Sequence, residues 1–297
     1  MTKIGRRDFM KQTTAMAAGT ALGAAAFRGA AEEPDRFDPL PTAVILNMLP
    51  DDLPMPERFA FAAECGFDGI EALPVRDLDE AARQREYAED VGLRIHSVLY
   101  GWWRHPPLEP DAPEVLAGIR EMENALRCAS AMGADAVLLV SGVVTPAMPY
   151  ARAYEQSQRD VQRLIPLAEE LGVIIAIENV WNDFLLSPLE FAQYIDEFES
   201  PWVQAYFDVA NIVAFGYPQD WIRTLGSRIR RIHFKDFHRH TREWTPLLEG
   251  TVDFLEVRKA LDEVGYTDFV TAELPGGDMD YFREVVERMK RINAGDV

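Results

Sequence analysis

Four residues that can bind a metal or transfer a proton occur at similar positions in four short apolar segments. Glu178 lies in VIIAIENV, Asp208 in WVQAYFDVAN, His233 in IRRIHFKD and Glu273 in FVTAEL. Each segment is typical of a strand buried on both faces, with one chemically active side chain near its C-terminal end. A buried, ionised carboxylate needs a metal ion or a cationic partner to offset its desolvation. Three carboxylates and one imidazole form a hard ligand set that suits Mn²⁺, Mg²⁺ or Co²⁺, with Zn²⁺ as an alternative.

The four segments belong to a regular alternation of strands and amphipathic helices over residues 42–297. The pattern predicts strands at Thr42–Met48, Gly69–Leu73, Arg94–Tyr100, Ala136–Ser141, Val173–Val180, Val203–Val209, Ile229–Lys235 and Phe269–Leu274. Asp253 and Glu256 have the spacing of a helix-capping pair. Six glycines stand where predicted helices end and strands begin, as left-handed C-caps require: Gly66, Gly92, Gly133, Gly172, Gly226 and Gly265. Eight strand–helix units predict a single (β/α)8 TIM barrel of the α/β class. Strands five to eight would then bring the four residues to one half of the barrel mouth, at the C-terminal ends of the strands.

The N-terminal region has the features of a targeting segment. Gly5-Arg6-Arg7-Asp8-Phe9-Met10-Lys11 and the Ala/Gly-rich run after it resemble a twin-arginine signal peptide, which we assign to residues 1–31. Residues 32–41 are predicted to be a linker. The protein is therefore expected to be periplasmic or secreted, since no other segment approaches the ~18 apolar residues of a membrane span.

Composition narrows the classes of partner. The chain of 297 residues has a formal net charge of −19 and is 48% hydrophobic. So acidic a surface repels phosphate backbones and anionic lipids, which argues against nucleic acid and membranes as partners. Cys65 and Cys128 fall in separate predicted helices and are interpreted as buried thiols. The oligomeric state is left open, with a homo-oligomer among the options.

Motifs around the four residues resemble those of a known superfamily. These are IEN at Glu178, FDVAN at Asp208, HFKD at His233, LLEGTVDF around Glu249 and AEL at Glu273. In this order they resemble the xylose-isomerase-like TIM barrels, in particular the sugar phosphate isomerase/epimerase group with its ketose 3-epimerases and hydroxypyruvate isomerases. The resemblance covers nearly everything after the linker, and it is specific for the fold and metal site but not for the substrate.

The resemblance also implies roles for individual residues. In the ketose 3-epimerases the four ligands hold Mn²⁺ or a similar ion, and the two glutamates, here Glu178 and Glu273, form the proton-transfer pair. The arginine that the family places six residues after the metal-binding histidine is matched by Arg239. Two positions differ from the family pattern. Phe184 replaces a substrate-binding glutamate, and Asn211 replaces a histidine; Asn211 can hydrogen-bond a hydroxyl but cannot exchange its protons at neutral pH.

Further side chains are candidates for the substrate site because they fall at strand ends or in loops near the predicted mouth. With Asn211 and Arg239, the substrate-binding candidates are Lys235, Glu71, Trp103 and His105. Asn47, His96, Trp102, Trp181 and Trp244 are additional mouth candidates. Flat aromatic faces in such loops suit sugar rings.

The sequence thus predicts a metal-dependent sugar isomerase or epimerase that acts on a ketose, or a related polyhydroxy carbonyl compound, through an enediolate. The first alternative is a metal-dependent lyase or dehydratase that eliminates a β-leaving group from a keto-sugar such as a 3-keto-glycoside. An AP-endonuclease-like nuclease would need a richer set of metal ligands and a basic face, whereas this chain has five histidines and a strongly negative charge. A catalytically silent sugar-binding barrel is the remaining alternative.

Overall fold

The computed structural model describes residues 37–102 and 111–297. The residues that it describes fall within one compact unit. No helix in this part of the chain is both long and apolar enough to cross a membrane. The predicted signal peptide, and Trp103 and His105, lie outside the described residues.

The central sheet is a barrel of parallel strands. Its strands are β1 Thr42–Ile45, β2 Gly69–Ala72, β3 Arg94–Trp102, β4 Ala136–Val140, β5 Ile174–Glu178, β6 Val203–Asp208, β7 Ile229–Phe234 and β10 Val270–Ala272. They run in the order β1-β10-β7-β6-β5-β4-β3-β2, and pairing of β1 with β10 closes the ring. The prediction of a single (β/α)8 TIM barrel is therefore confirmed.

Amphipathic helices surround the barrel and bury their apolar faces against the strands. They are α1 Met55–Cys65, α2 Leu78–Asp90, α3 Pro113–Met132, α4 Tyr150–Gln162, α5 Ile165–Leu171, α6 Pro188–Asp196, α7 Pro218–Leu225, α8 Phe254–Glu263 and α9 Met279–Ala294. The sequence pattern predicts one helix over Ala151–Leu171, where the structure has the two helices α4 and α5. Pro166 explains the break, because it has no N–H to donate to the carbonyl of Gln162, the last residue of α4. Cys65 and Cys128 are buried free thiols, as predicted.

A two-stranded antiparallel hairpin follows β7 and was not predicted. It consists of β8 Asp236–His238 and β9 Glu243–Thr245, whose three-residue strands are too short to show a periodic pattern. The buried Asp236 carboxylate holds the base of this hairpin. It accepts hydrogen bonds from the backbone N–H groups of Phe237 at 2.8 Å, Gly250 at 2.9 Å and Val252 at 3.3 Å. The hairpin carries Trp244 to the mouth of the barrel.

Alternate residues of the barrel strands fill its interior in layers. On β7, Arg231 and His233 are two residues apart and both are fully buried, so they occupy successive layers. Thr271 and Glu273 have the same spacing on and after β10. Between the layers, the Tyr206 ring lies 4.3 Å from the His233 ring. Because of this register, His233 and Glu273 lie at the mouth, whereas Arg231 lies toward the N-terminal ends of the strands.

Candidate metal centre

The four predicted ligands meet at the mouth of the barrel. Glu178 ends β5, Asp208 ends β6, His233 is the penultimate residue of β7 and Glu273 directly follows β10. One ligand atom from each side chain can be chosen so that all four atoms lie within 4.8 Å of one another. Nδ1 of His233 lies 3.0 Å from Glu178 Oε1 and 2.8 Å from Glu273 Oε2. The structure therefore brings together the residues that the sequence pattern selected.

Glu71 orients the imidazole of His233. Its Oε2 lies 2.7 Å from Nε2 of His233, and its Oε1 accepts a hydrogen bond of 3.0 Å from the hydroxyl of Ser97. Glu71 is completely buried. A carboxylate on the far nitrogen fixes the tautomer that leaves the near nitrogen free for a metal, which is a recurrent arrangement around metal-binding histidines. The predicted candidate Glu71 thus contacts a ligand, and its burial keeps it away from the open mouth.

Asp208 is held by the backbone that follows it. Its Oδ1 accepts hydrogen bonds from the N–H groups of Ala210 at 2.8 Å and Asn211 at 2.7 Å. The side-chain amide of Asn179 donates to the carbonyl of Asp208 and accepts from the N–H of Asp208, each at 2.9 Å. The amide of Asn211 donates to the carbonyl of Asn179 at 2.9 Å. These bonds tie the ends of β5 and β6 together and leave Oδ2 of Asp208 for another partner.

Two oxygens of the cluster have no hydrogen-bond partner among the residues that the structure describes. Oδ2 of Asp208 and Oε2 of Glu273 are buried, yet neither receives a hydrogen bond of acceptable geometry. The ammonium group of Lys235 lies 3.3 Å from the first and 2.7 Å from the second. Buried unsatisfied carboxylate oxygens are rare in native proteins and call for an explanation such as an ion. Since the orphaned atoms belong to two of the four converging ligands, these residues fit a divalent cation.

The electrostatic environment gives the two glutamates different pKa values. Burial raises the pKa of Glu178 to about 7, although its hydrogen bond with His233 opposes that shift. Burial also acts to raise the pKa of Glu273, but the neighbouring His233 and Lys235 outweigh it and lower this pKa to about 2. Burial by itself lowers the pKa of the His233 imidazole, whereas Tyr206 and the surrounding carboxylates raise it well above its usual range. Negative charge is therefore in excess around one point.

A cavity of about 580 Å³ opens beside the cluster. Glu273 and Lys235 form its inner wall, Trp244 and Pro246 come from the hairpin region, and Tyr281 comes from α9. Its volume is within the range of ~300–1,000 Å³ that small-molecule sites occupy. Through Glu273, the cluster therefore borders a cavity that is large enough for a small molecule.

The remaining predicted residues occupy other environments. The guanidinium of Arg239 lies 4.4 Å from the Tyr217 ring centroid and donates to the carbonyl of Gly216. Asn47 is exposed in the short 3₁₀ turn after β1. His96 is buried in the barrel interior beside Arg231, so it does not line the mouth.

Phe184, which stands where the family pattern has a substrate-binding glutamate, is part of the packed core. It is 2% exposed and packs against Tyr150, Tyr154 and Tyr194, in the layer of α4 and α6. The loop after β5 therefore offers no carboxylate at this position.

Sequence reasoning missed two residues that build the site. Asn179 was read only as part of the IEN motif, although it anchors Asp208, and Asp236 was read only as part of HFKD, although it anchors the hairpin. A polar residue directly after a predicted ligand at a strand end was the available signal in the first case. In the second case the partners are backbone groups 14 and 16 residues away, and no local pattern marks them.

Several known proteins that are similar to this chain in sequence or in fold are named as sugar epimerases. SgbU of Escherichia coli (strain K12), provisionally assigned as an L-ribulose-5-phosphate 3-epimerase, is 28% identical over 242 residues, which cover 73% of this chain and 82% of SgbU. The structure of D-allulose 3-epimerase from Methylomonas sp. in complex with D-allulose has a TM-score of 0.67 at 21% identity, covering 81% of this chain and 86% of that one. The apo structure of 3-keto-D-glucoside 4-epimerase YcjR from E. coli has a TM-score of 0.69 at 15% identity, covering 84% and 98%.

The family assignment follows from a match over most of the chain. Residues 59–292 match the model of the xylose isomerase-like TIM barrel family. The protein belongs to this family, and its relatives include sugar epimerases that act on different sugars. The four candidate metal ligands and the cavity lie at the mouth of that barrel.

Proposed function

We propose that this protein is a metal-dependent sugar epimerase or isomerase that acts on a polyhydroxy carbonyl compound through an enediolate. The observation that carries the proposal is the convergence of Glu178, Asp208, His233 and Glu273 on one point beside an open cavity. The relatives' epimerase activities support the same class of reaction. We expect Mn²⁺ to be the preferred ion, with Mg²⁺, Co²⁺ or Zn²⁺ as alternatives.

The two glutamates would move the proton. Glu178 and Glu273 both contact Nδ1 of His233, so their carboxylates flank the same point and either can reach a carbon held there. When bound, a divalent cation supplies the Lewis acidity that makes the C–H bond next to a carbonyl easier to deprotonate. One carboxylate would take this proton, and the return of a proton to the opposite face of the carbon would complete an epimerisation. Lys235, 2.7 Å from Glu273, would balance negative charge that develops on a substrate oxygen.

Solvent deuterium incorporation tests this proposal. Protein loaded with Mn²⁺ is incubated in heavy water with L-ribulose 5-phosphate, D-allulose, other ketoses and 3-keto-D-glucosides, and the products are followed by NMR and mass spectrometry. An epimerase or isomerase returns an isomer of unchanged mass apart from the label. Glu178→Gln and Glu273→Gln should each lower turnover by about 10²-fold or more, because each removes one proton-transferring carboxylate.

A matched substitution separates the acid–base role from a general charge effect. Glu86→Gln makes the same chemical change on helix α2, where the side chain is exposed, and it should leave turnover unchanged. Full turnover by Glu273→Gln would contradict the proposal, as would a panel that stays unlabelled and unconverted. Release of a smaller product together with an unsaturated ketone would instead identify the lyase reaction.

We also propose that the protein is exported by the twin-arginine route. The proposal is supported by Arg6-Arg7 and the Ala/Gly-rich run that follows them. The substitution Arg6→Lys with Arg7→Lys should retain the protein in the cytoplasm in a folded state, which fractionation and immunoblotting would detect. Unchanged delivery to the periplasm would contradict this assignment.

A further inference from the structure

Two tryptophans form an exposed aromatic surface that the proposed chemistry does not use. Trp181 is 47% exposed and Trp244 is 51% exposed, and their ring centroids are 5.3 Å apart with an interplanar angle of 33°. Exposed indole rings of this size are costly to leave in water, and adjacent ones commonly mark a binding surface. We define Trp181 and Trp244 as the tryptophan platform.

Buried groups hold the platform in place. The ring of Phe237, which is completely buried, contacts both indoles, at 5.4 Å from Trp181 and 5.0 Å from Trp244. The indole N–H of Trp181 donates a hydrogen bond of 2.6 Å to the carbonyl of Asn211. The loop after β5 and the hairpin after β7 therefore present a fixed surface, which binds a ligand with little loss of side-chain entropy.

Trp244, one half of the platform, lies near the proposed proton-transfer residue Glu273. Nζ of Lys235 lies 2.7 Å from Glu273 and 5.5 Å from the Trp244 ring centroid. Trp244, Glu273 and Lys235 line the same cavity. A sugar held at the metal ligands would therefore have its neighbouring unit over Trp244.

The cavity exceeds the needs of one sugar ring. Even if each of the roughly twelve heavy atoms of a hexose took the ~30 Å³ of a water molecule in the liquid, it would fill only about 360 Å³. This leaves more than a third of the cavity of about 580 Å³. Much of the cavity lining is apolar or aromatic, with Trp244, Leu274 and Tyr281 among its residues.

We propose that the tryptophan platform is a subsite for the second sugar ring of an uncharged disaccharide or larger glycoside, whose reacting ring occupies the metal centre. Sugar rings present C–H faces that pack on indole, while their hydroxyls need polar neighbours. Both conditions are met, since the guanidinium of Arg242 lies 5.9 Å from the Trp181 ring and Glu243 and Thr245 flank Trp244. The proposal rests on the proposed sugar-converting function and specifies its class of substrate.

Binding of unreactive sugars tests the subsite independently of turnover. The full chain loaded with Mn²⁺ is titrated by NMR or calorimetry with glucose and with the disaccharides cellobiose, maltose and lactose. At least one disaccharide should bind about tenfold more tightly than glucose, and the double substitution Trp181→Ala with Trp244→Ala should remove that difference without changing glucose binding. Phe215→Ala, which removes a 55% exposed aromatic side chain that does not line the cavity, should preserve it.

The outcomes are distinct. The proposal is overturned if glucose and every disaccharide bind equally, or if the double variant keeps the preference. A preference for phenyl β-D-glucoside without one for disaccharides would also overturn it and would indicate an aryl group as occupant.

If Trp244→Ala unfolds the hairpin, as judged by circular dichroism, Trp181→Ala and Trp244→Phe are measured instead and should each weaken the preference. A preserved preference without conversion of any keto-sugar would refute the proposed function but leave the subsite standing.

Discussion

The barrel interior contains two buried charged networks, one at each end, and each is built around a histidine. At the mouth, His233 is surrounded by Glu71, Glu178 and Glu273. Toward the N-terminal ends of the strands, His96 lies against the guanidinium of Arg231. Both imidazoles are completely buried. They differ in the charge that surrounds them.

In the network toward the N-terminal ends of the strands, the side chains of Arg231 and His96 have hydrogen-bond partners. Arg231 donates to Nδ1 of His96 at 3.0 Å and to its carbonyl at 3.1 Å, and it pairs with Asp135 and with Asp268. Nε2 of His96 lies 3.0 Å from the hydroxyl of Thr271. Burial and the charge of Arg231 lower the pKa of His96 well below its usual range, so this imidazole is neutral.

The mouth network is incomplete by comparison. It has more carboxylates than cations, and Asp208 and Glu273 each leave one buried oxygen without a hydrogen bond. A network that satisfies its members stabilises a fold, whereas an unsatisfied one retains capacity for a ligand. Similar residue types thus form a satisfied network at one end of the barrel and leave unpartnered carboxylate oxygens at the other.

Removal of Arg231 should give the largest loss of stability. Arg231→Ala leaves Asp135, Asp268 and His96 without their buried partner and should lower the free energy of unfolding by about 3–5 kcal/mol. Arg230→Ala is the matched control, since Arg230 pairs with the same two carboxylates at 2.7 and 3.2 Å but is 27% exposed. It should cost about 1 kcal/mol or less. Equal losses in urea denaturation would remove the distinction between the buried and the exposed arginine.

Metal loading should stabilise the protein through the mouth alone. Mn²⁺ at about 100 times its dissociation constant should raise the free energy of unfolding by ~2.7 kcal/mol. His233→Ala should abolish most of this gain while the metal-free barrel stays folded. His96→Gln should retain it, because His96 is in the other network. Thermal melts with and without Mn²⁺, together with metal analysis, provide the measurement, and a gain that survives in His233→Ala would place the metal elsewhere.

The two histidines should also differ in how they link stability to pH. The unfolded chain protonates His96 below its ordinary pKa of ~6.5, while the folded state keeps it neutral, so acidification favours unfolding. This loss of stability grows as the pH falls further below ~6.5. His96→Gln should therefore flatten the fall in stability over this window, in chelator-treated protein. Because the folded-state pKa of His233 is raised, its contribution is present below pH 6.5 and is lost at higher pH.

Glu71→Gln should have the smallest effect of the four. The uncharged amide can still accept the hydrogen bond from Nε2 of His233, but it no longer increases the basicity of Nδ1 toward a metal. The affinity for Mn²⁺ should fall by about tenfold, as measured by competition with a chelating dye. Ser97→Ala, which removes the hydrogen bond on the other oxygen of Glu71, should change the affinity less. An unaltered affinity in Glu71→Gln would show that this carboxylate does not tune the ligand.

Much of the architecture followed from the sequence because it depends on local patterns. Apolar runs and the glycines after the helices identified the eight barrel strands and their order along the chain, and the six glycines selected as caps all have positive φ. The candidate ligands Glu178, Asp208, His233 and Glu273 were selected because each interrupts an apolar run near its end. The spacing of Asp253 and Glu256 predicted a helix cap, and the side chain of Asp253 accepts from the N–H of Glu256 at 3.0 Å.

Only the tertiary structure decided which neighbouring groups complete the site. Glu71 and His233 are 162 residues apart in sequence, and Arg231 and His96 are 135 apart, so no periodicity can pair them. Closure of the barrel and its register set these pairs, and the same register placed His96 at the opposite end from the predicted mouth. The hairpin that carries Trp244 depends on hydrogen bonds from distant backbone N–H groups to Asp236. Sequence determined the residues that point inward because that choice is local, whereas partners and depth result from contacts between strands remote in the chain.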